Sequence, residues 1–282
     1  MSSKHLVVVV LLLISTVINT TSILEVGADA VKEINITDYL RLVNKDHPLP
    51  KDYVPIGLVD YHGRQLDPTA LASYKAMLTA MEAELGAAAV QGLSLYSAYR
   101  SYEYQRNLFG NKTSKFMTRG YTKAAAELLA AQVVQPPGSS EHQLGLSVDV
   151  STTGSLTEGF GDTVVGQWLA AYSHRYGFII RYPQAKTDVT GIVYEPWHLR
   201  YVGNPHATII THTGLALEEY LADVMACYGY VLWAVPGEDG HYYIVSYTTD
   251  TAEAVATATN IVSVNVMGDG YIVVERKAVP RQ

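Results

Sequence analysis

Cysteine is almost absent: Cys227 is the only one in 282 residues. A single thiol excludes an intramolecular disulfide and a cysteine-ligated zinc site. With no cysteine near the start, a lipoprotein anchor is excluded as well. Cys227 itself lies in the apolar run L-A-D-V-M-A-C-Y-G-Y, where a buried, inert thiol is expected rather than a nucleophile. Basic runs are also missing, and the net charge is −7, which argues against a nucleic-acid binder that neutralises phosphates. There is no repeat of solenoid period and no low-complexity tract. Phenylalanine is scarce (4) where tyrosine is abundant (21), a balance that suits half-buried strands whose aromatic tips reach water.

Long hydrophobic runs are missing too, and the longest has a specific meaning. Lys4 and His5 precede L-V-V-V-V-L-L-L-I, Leu6 to Ile14, a charged start and an apolar core of signal-peptide length, shorter than the roughly 20 apolar residues of a typical membrane span. No A-x-A site follows, so residues 1–23 are expected to be either a cleaved signal peptide or a retained N-terminal membrane anchor. In both cases the rest of the chain lies outside the cytoplasmic membrane, secreted or anchored to its outer face. Residues 24–50 are expected to be an extended lead-in, with H-P-L-P-K-D-Y at its end.

A helix is predicted over Pro68 to Leu85, where apolar residues recur at three- and four-residue steps behind Asp67 as N-cap and Pro68 at N1. Leu93 to Ala98 alternates like a half-buried strand and delivers Tyr99-Arg100-Ser101 at its end. Further helices are expected over Tyr102–Phe109, Tyr121–Val133, Gln167–Tyr176 and Gly214–Met225, and a strand over Phe178–Tyr182. From about Tyr228 the texture changes to short β-rich runs with an alanine-rich stretch at 250–259 and a hairpin signal, Gly268-Asp269-Gly270. The expected division is therefore 51–222 as the main domain and 223–282 as a small C-terminal module of unknown role.

Two short segments carry the chemistry. Ser140 to Asp149 reads S-E-H-Q-L-G-L-S-V-D, and Glu195 to His198 reads E-P-W-H. They offer two imidazoles, a carboxylate and a spare glutamate. Three protein ligands that leave the fourth position to water mark a catalytic rather than a structural zinc. His142, Asp149 and His198 are the candidate ligands, and Glu195 the candidate general base. His62, His174 and His241 have no suitable neighbours, so packing is the expectation for them. Each segment alone is a weak signal; with Y-R-S upstream the combination is strong.

These segments resemble the zinc D-alanyl-D-alanine carboxypeptidases of the VanY type, in the superfamily shared by lysostaphin-like peptidases, D-Ala-D-Ala metallopeptidases and the hedgehog signalling domain. The pattern S-x-H-x-x-G-x-A-x-D is matched by Ser140, His142, Gly145 and Asp149, with Ser147 in place of alanine. Glu195, Trp197 and His198 match E-x-W-H. S-A-Y-R-S-Y-E-Y-Q, Ser97 to Gln105, matches S-G-Y-R-S-Y-x-x-Q with Ala98 for glycine. The likeness covers about residues 50–222.

The resemblance implies an α+β fold, an antiparallel sheet flanked by helices that holds a zinc site, beside the β-rich C-terminal module. It implies zinc (Zn2+) on His142, Asp149 and His198, with Glu195 as base and then proton donor. Arg100 would bind the substrate's C-terminal carboxylate, a bidentate pairing that a carboxypeptidase needs and an endopeptidase does not. Ser140 and Gln105 would hold substrate or support the site, and Trp197 would wall the pocket or pack beneath it. The implied substrates are peptidoglycan stem peptides ending in D-Ala-D-Ala, acted on by a monomer. The alternatives within the superfamily are a D,D-dipeptidase or an L-Ala-D-Glu endopeptidase, and outside enzymes a non-catalytic zinc-containing cell-wall binder. The export signal argues against the first, Arg100 against the second and the intact Glu195 against the third.

Overall fold

The computed structural model describes residues 21–25, 31–226, 233–236, 241–249 and 261–278. The expected leader core Leu6–Ile14, Cys227 and the alanine-rich stretch 250–259 lie outside the described residues. Among the described residues, no helix is long and apolar enough to cross a membrane.

The chain divides into two units, one made of Met1–Arg41 with Ala222–Gln282 and the other of Leu42–Leu221. In chain order the first contributes β1 (Thr21–Glu25) and β2 (Val31–Thr37). The second holds a short hairpin, β3 (Val59–Tyr61) and β4 (Arg64–Leu66), then α1 (Pro68–Leu85), α2 (Ala87–Val90), β5 (Ser94–Ser97), α3 (Tyr102–Met117) and α4 (Lys123–Ala131). It continues with β6 (Ser147–Ser151), α5 (Val164–Tyr172), β7 (Phe178–Tyr182), α6 (Thr187–Thr190), β8 (Glu195–Tyr201) and α7 (His206–Thr213). After α8 (Leu217–Ala226), which runs past the unit's end, come β9 (Trp233–Pro236), β10 (His241–Thr248), β11 (Ile261–Met267) and β12 (Gly270–Ala278).

In the larger unit an antiparallel sheet of order β5-β6-β8-β7 is flanked by helices, the expected α+β arrangement. Helix α1 starts where Asp67 accepts from the backbone N–H groups of Thr69 and Ala70, at 2.8 and 3.0 Å. It buries Ala70, Leu71, Tyr74, Met77 and Met81, one stripe at helical spacing. Tyr74 meets Phe178 of β7 edge-on, with ring centroids 6.5 Å apart, and Phe178 in turn meets Tyr201 of β8 at 5.2 Å. On the same face of the sheet the cross-strand partners Val148 and Leu199 are fully buried.

Several expected boundaries move, each for a local reason. Helix α3 runs on from Phe109 to Met117. Its interior Gly110 costs only about 1 kcal/mol relative to alanine, which packing against α4 offsets. Helix α4 begins later than Tyr121 because the Thr122 side chain caps it, accepting from the Ala125 N–H. Helix α5 begins at Val164, not Gln167, because Thr163 caps Gly166, and its expected final turn, Ser173–Tyr176, is a 3-10 turn. The helix predicted from Gly214 starts at Leu217, behind the separate helix α7. Gly214, at φ 67°, ends α7, and the Glu219 carboxylate accepts from the Ala216 N–H to start α8.

The segment 24–50 differs most from the expected lead-in. Its first part holds β2, which pairs in parallel with β11 through Val264↔Ile36 and Asn265↔Thr37, so the sheet of the smaller unit has the order β1-β2-β11-β12-β10-β9. Thr37 donates to Asn265 Oδ1 at 2.8 Å across that pairing. Its later part belongs to the larger unit, where the Leu49 N–H donates to the Gly138 carbonyl at 2.8 Å. The Gly268 hairpin is present: Met267 pairs with Gly270 across a two-residue loop in which Gly268 takes φ 60°.

Candidate metal centre and active-site cleft

Sheet register brings the candidate ligands together. Asp149 stands opposite both Ser97 on β5 and His198 on β8, and directly opposed residues of antiparallel strands point to one face. His142 reaches the same point from the 3-10 turn Glu141–Leu144. Gly145 closes that turn at φ 72°, where an added Cβ would sit 2.5 Å from Leu58 Cδ2. Glu195 is three residues before His198, which in a regular strand would put it on the opposite face. The β7–β8 register breaks there: Ile180 pairs with Leu199 but Tyr182 pairs with Glu195, so four residues of β8 span two of β7. Such a bulge re-aims a side chain, and here it brings Glu195 Oε2 to 3.8 Å from His198 Nδ1.

His142, Asp149 and His198 are all buried, and one ligand atom of each lies within 4.8 Å of the others. His142 Nδ1 is 2.6 Å from the Ala98 carbonyl, which fixes the N–H there and leaves Nε2 as a lone pair, 3.2 Å from Asp149 Oδ2. That Nε2 is buried and has no hydrogen-bond partner. Asp149 Oδ1 is 3.0 Å from His198 Nδ1. Two imidazole nitrogens and a carboxylate converging in a buried pocket fit a zinc ion, which takes three such ligands in catalytic sites.

The charges are arranged to match. Burial alone would raise the Asp149 pKa, but His142, Arg100 and His198 hold it well below the usual carboxylate range. Burial and the Arg100 cation lower His142 to about 4. Burial opposes the charged form of His198, yet Asp149, Glu141 and Glu195 raise it to about 9. Glu195 is raised to about 7, chiefly by burial and against the pull of His198. One carboxylate is thus held as an anion while its neighbour titrates near neutrality.

A cleft of about 420 Å³ opens over these groups and is lined by every site residue named from the sequence: Arg100, Gln105, Ser140, His142, Asp149, Glu195, Trp197 and His198. Arg100 follows β5, and its backbone N–H donates to the His142 carbonyl at 3.1 Å. Its Nε donates to Ser97 Oγ at 2.9 Å, Nη1 to Gln105 Oε1 at 3.4 Å and Nη2 to Asp149 Oδ2. These use three of a guanidinium's five N–H groups and leave one on each Nη. Gln105 is buried, and its amide also donates to the Gln135 carbonyl at 2.7 Å, so it braces Arg100 against the loop before Ser140. Ser140 is buried and Trp197 half-buried on the cleft wall.

Several residues of the region are not evident from the motifs. Tyr182 packs on His198 with centroids 4.9 Å apart, and Lys112 and Glu158 bring opposite charges to the cleft. Glu141, Arg181 and Arg200 form a buried ionic cluster beside His198. A charged residue within an apolar strand, as in F-I-I-R-Y and H-L-R-Y, is the sequence signal that could have found the arginines. The histidines expected only to pack do not join the centre: His62 sits in the β3–β4 turn at φ 54°, and His174 is buried beside His212. The side chain of His241 lies outside the described residues.

Comparison with known proteins identifies the family. The family described as VanY, D-alanyl-D-alanine carboxypeptidase, matches residues 63–204. A D-alanyl-D-alanine carboxypeptidase of Enterococcus faecalis (strain ATCC 700802 / V583) is 40% identical over 183 residues, 64% of this chain and 65% of that protein, so the chain spans just under two thirds of its length. Among solved structures, VanYB in complex with D-alanine-D-alanine is 39% identical with a TM-score of 0.58, covering 65% of this chain and 97% of the other. A mutant of the vancomycin-resistance D,D-pentapeptidase VanY, from a VanB-type cassette and in complex with Zn(II), gives 39% and 0.57 over 65% and 98%. With a family match over half its length, an α+β fold that follows solved relatives and a His-Asp-His group fit for zinc, this chain belongs to the VanY family of zinc D-alanyl-D-alanine carboxypeptidases.

Proposed function

We propose that this cleft removes the terminal D-alanine from peptidoglycan stem peptides ending in D-Ala-D-Ala, outside the cytoplasmic membrane, to which residues 1–23 deliver the chain as signal peptide or anchor. The observation that carries the reading is the meeting, in one cleft, of a His-Asp-His triad, a glutamate that titrates near 7 and a guanidinium with N–H groups to spare.

His142 through Nε2, His198 through Nδ1 and Asp149 would hold the zinc. Zinc bound there supplies a Lewis acid for the scissile carbonyl and lowers the pKa of water to about 7. Glu195 takes the proton of the attacking water and returns it to the departing D-alanine amine. Burial raises the Glu195 pKa above the ordinary carboxylate value, the direction in which a group that takes up and returns a proton is tuned. Arg100 pairs with the substrate carboxylate through its two free N–H groups, which places the last peptide bond beside Glu195. Gln105 holds Arg100 in that orientation, Ser140 lines the pocket floor and Trp197 its wall. Asp149 has a second duty, since its bond to Arg100 ties the carboxylate clamp to the metal centre.

The test is purified residues 24–282 with a pentapeptide ending in D-Ala-D-Ala, with and without chelator. Free D-alanine should appear, cease on chelation and return with zinc. Glu195→Gln should slow kcat by about 10²–10⁴-fold, the usual worth of a positioned base. Unchanged release by Glu195→Gln would sink the mechanism. Preference for the free dipeptide D-Ala-D-Ala would make the enzyme a dipeptidase, and internal cleavage would make it an endopeptidase.

A further inference from the structure

Beside the metal centre lies a buried charge cluster that the reaction above does not use. Glu141 stands between Ser140 and His142 but does not line the cleft. Its Oε1 accepts from Arg181 Nε at 2.7 Å and lies 2.9 Å from Arg200 Nη1. Arg181 also donates twice to Glu218 of α8, at 2.9 and 2.6 Å. The side chains of Glu141, Arg181 and Arg200 are wholly inaccessible to solvent. Burial opposes ionisation of Glu141, but the two guanidiniums hold its pKa far below the carboxylate range.

The second oxygen of this buried anion is the informative atom. Glu141 Oε2 has no hydrogen-bond partner, and neither has His198 Nε2, which it faces at 3.9 Å. On the other edge of the ring, His198 Nδ1 faces Asp149 Oδ1 at 3.0 Å. A neutral imidazole carries one N–H. With that proton on Nε2, toward Glu141, Nδ1 presents its lone pair to the metal. The opposite tautomer would aim an N–H at the metal and a lone pair at a buried carboxylate, both unfavourable.

We propose that Glu141 is a positioning residue of the metal centre: it accepts from His198 Nε2 and so selects the tautomer and ring orientation that turn Nδ1 to the metal, while Arg181 and Arg200 hold its other oxygen. The inference rests on the metal reading of His142, Asp149 and His198. Carboxylates that bond the outer nitrogen of a ligand histidine are worth roughly 10- to 100-fold in metal affinity.

The full chain is stripped of metal and titrated with zinc against a competing chelator, then loaded with cobalt(II). Glu141→Gln is expected to weaken zinc binding by about 10- to 100-fold and to shift the cobalt absorption bands, with the near-ultraviolet circular dichroism of the parent retained. Glu218→Gln loosens the same arginine network without facing His198 and is expected to bind zinc as the parent does. Parent-like affinity in Glu141→Gln, or an equal loss in both variants, overturns the proposal. Should Glu141→Gln not fold, nitrogen-15 spectra of the histidines in the zinc-loaded parent decide. A proton on His198 Nε2 is expected, and a proton on Nδ1 overturns it. A parent chain that binds no zinc at all overturns the metal reading together with this one, which tells that failure apart from the others.

Discussion

Arg100 shows what a single residue does when each of its edges is used. Three N–H groups are spent on Ser97, Gln105 and Asp149, which hold the guanidinium still; the remaining two can receive a carboxylate without further ordering. Lysine keeps the charge and loses the fork. Arg100→Lys should therefore lower kcat/KM for a peptide with a free C-terminus by about 10- to 100-fold, since a hydrogen bond to a charged group is worth roughly 1.5–3 kcal/mol. A peptide with an amidated C-terminus offers no carboxylate, so parent and variant should cut it equally slowly. If the parent cuts acid and amide peptides at one rate, Arg100 is not the clamp. Zinc affinity measured alongside separates this role from the contact with Asp149.

At the scale of elements, the site depends on a turn and a bulge. The turn at Gly145 delivers His142 and starts β6 with Asp149 four residues on, and its carbonyl accepts the Asp67 N–H at the start of α1. Gly145→Ala places a Cβ at positive φ and within 2.5 Å of Leu58 Cδ2. Left-handed backbone costs a non-glycine residue roughly 1–2 kcal/mol, before any displacement of Leu58. A fall in Tm of about 2–4 °C per kcal/mol is expected for a domain of this size, with weaker zinc binding because His142 and Asp149 flank the turn. An unchanged Tm would show that the turn tolerates a side chain. The start of α1 was legible in the sequence because the Asp67 cap is a local signal, whereas the Thr122 and Thr163 caps moved the starts of α4 and α5. The β8 bulge was not, because nothing in E-P-W-H says which residues of the partner strand it will face.

At the scale of the whole molecule, acid sensitivity has a source outside the metal centre. His206 at the start of α7 is buried with Nδ1 2.7 Å from the Tyr220 hydroxyl, and burial lowers its pKa from 6.5 to about 3. The unfolded chain binds this proton below about 6.5 and the folded chain only near 3. The contribution to stability is therefore whole above 6.5 and is lost at up to about 1.4 kcal/mol per pH unit as pH falls toward 3. His206→Gln keeps a polar partner for Tyr220 without the titration. Urea unfolding at pH 7 and pH 5 should show a smaller loss in the variant than in the parent; equal losses would exclude His206 as the source. The division into units is also a property of this scale. The strand Val31–Thr37 joins β11 across more than two hundred residues of sequence, a pairing that no local pattern announces.

The sequence by itself determined the chemistry. The side chains proposed as ligands, base and carboxylate clamp all stand in S-E-H-Q-L-G-L-S-V-D, E-P-W-H and S-A-Y-R-S, because donor atoms and charges belong to residues. It also determined the capped start of α1 and the Gly268 hairpin, whose physics acts over a few residues. Tertiary structure alone decided how these groups meet: the register that sets Asp149 against His198, the bulge that turns Glu195 to their face and the buried Glu141 behind His198. Those depend on pairings between separate strands, and side-chain direction follows from the pairing, not from the neighbours in sequence.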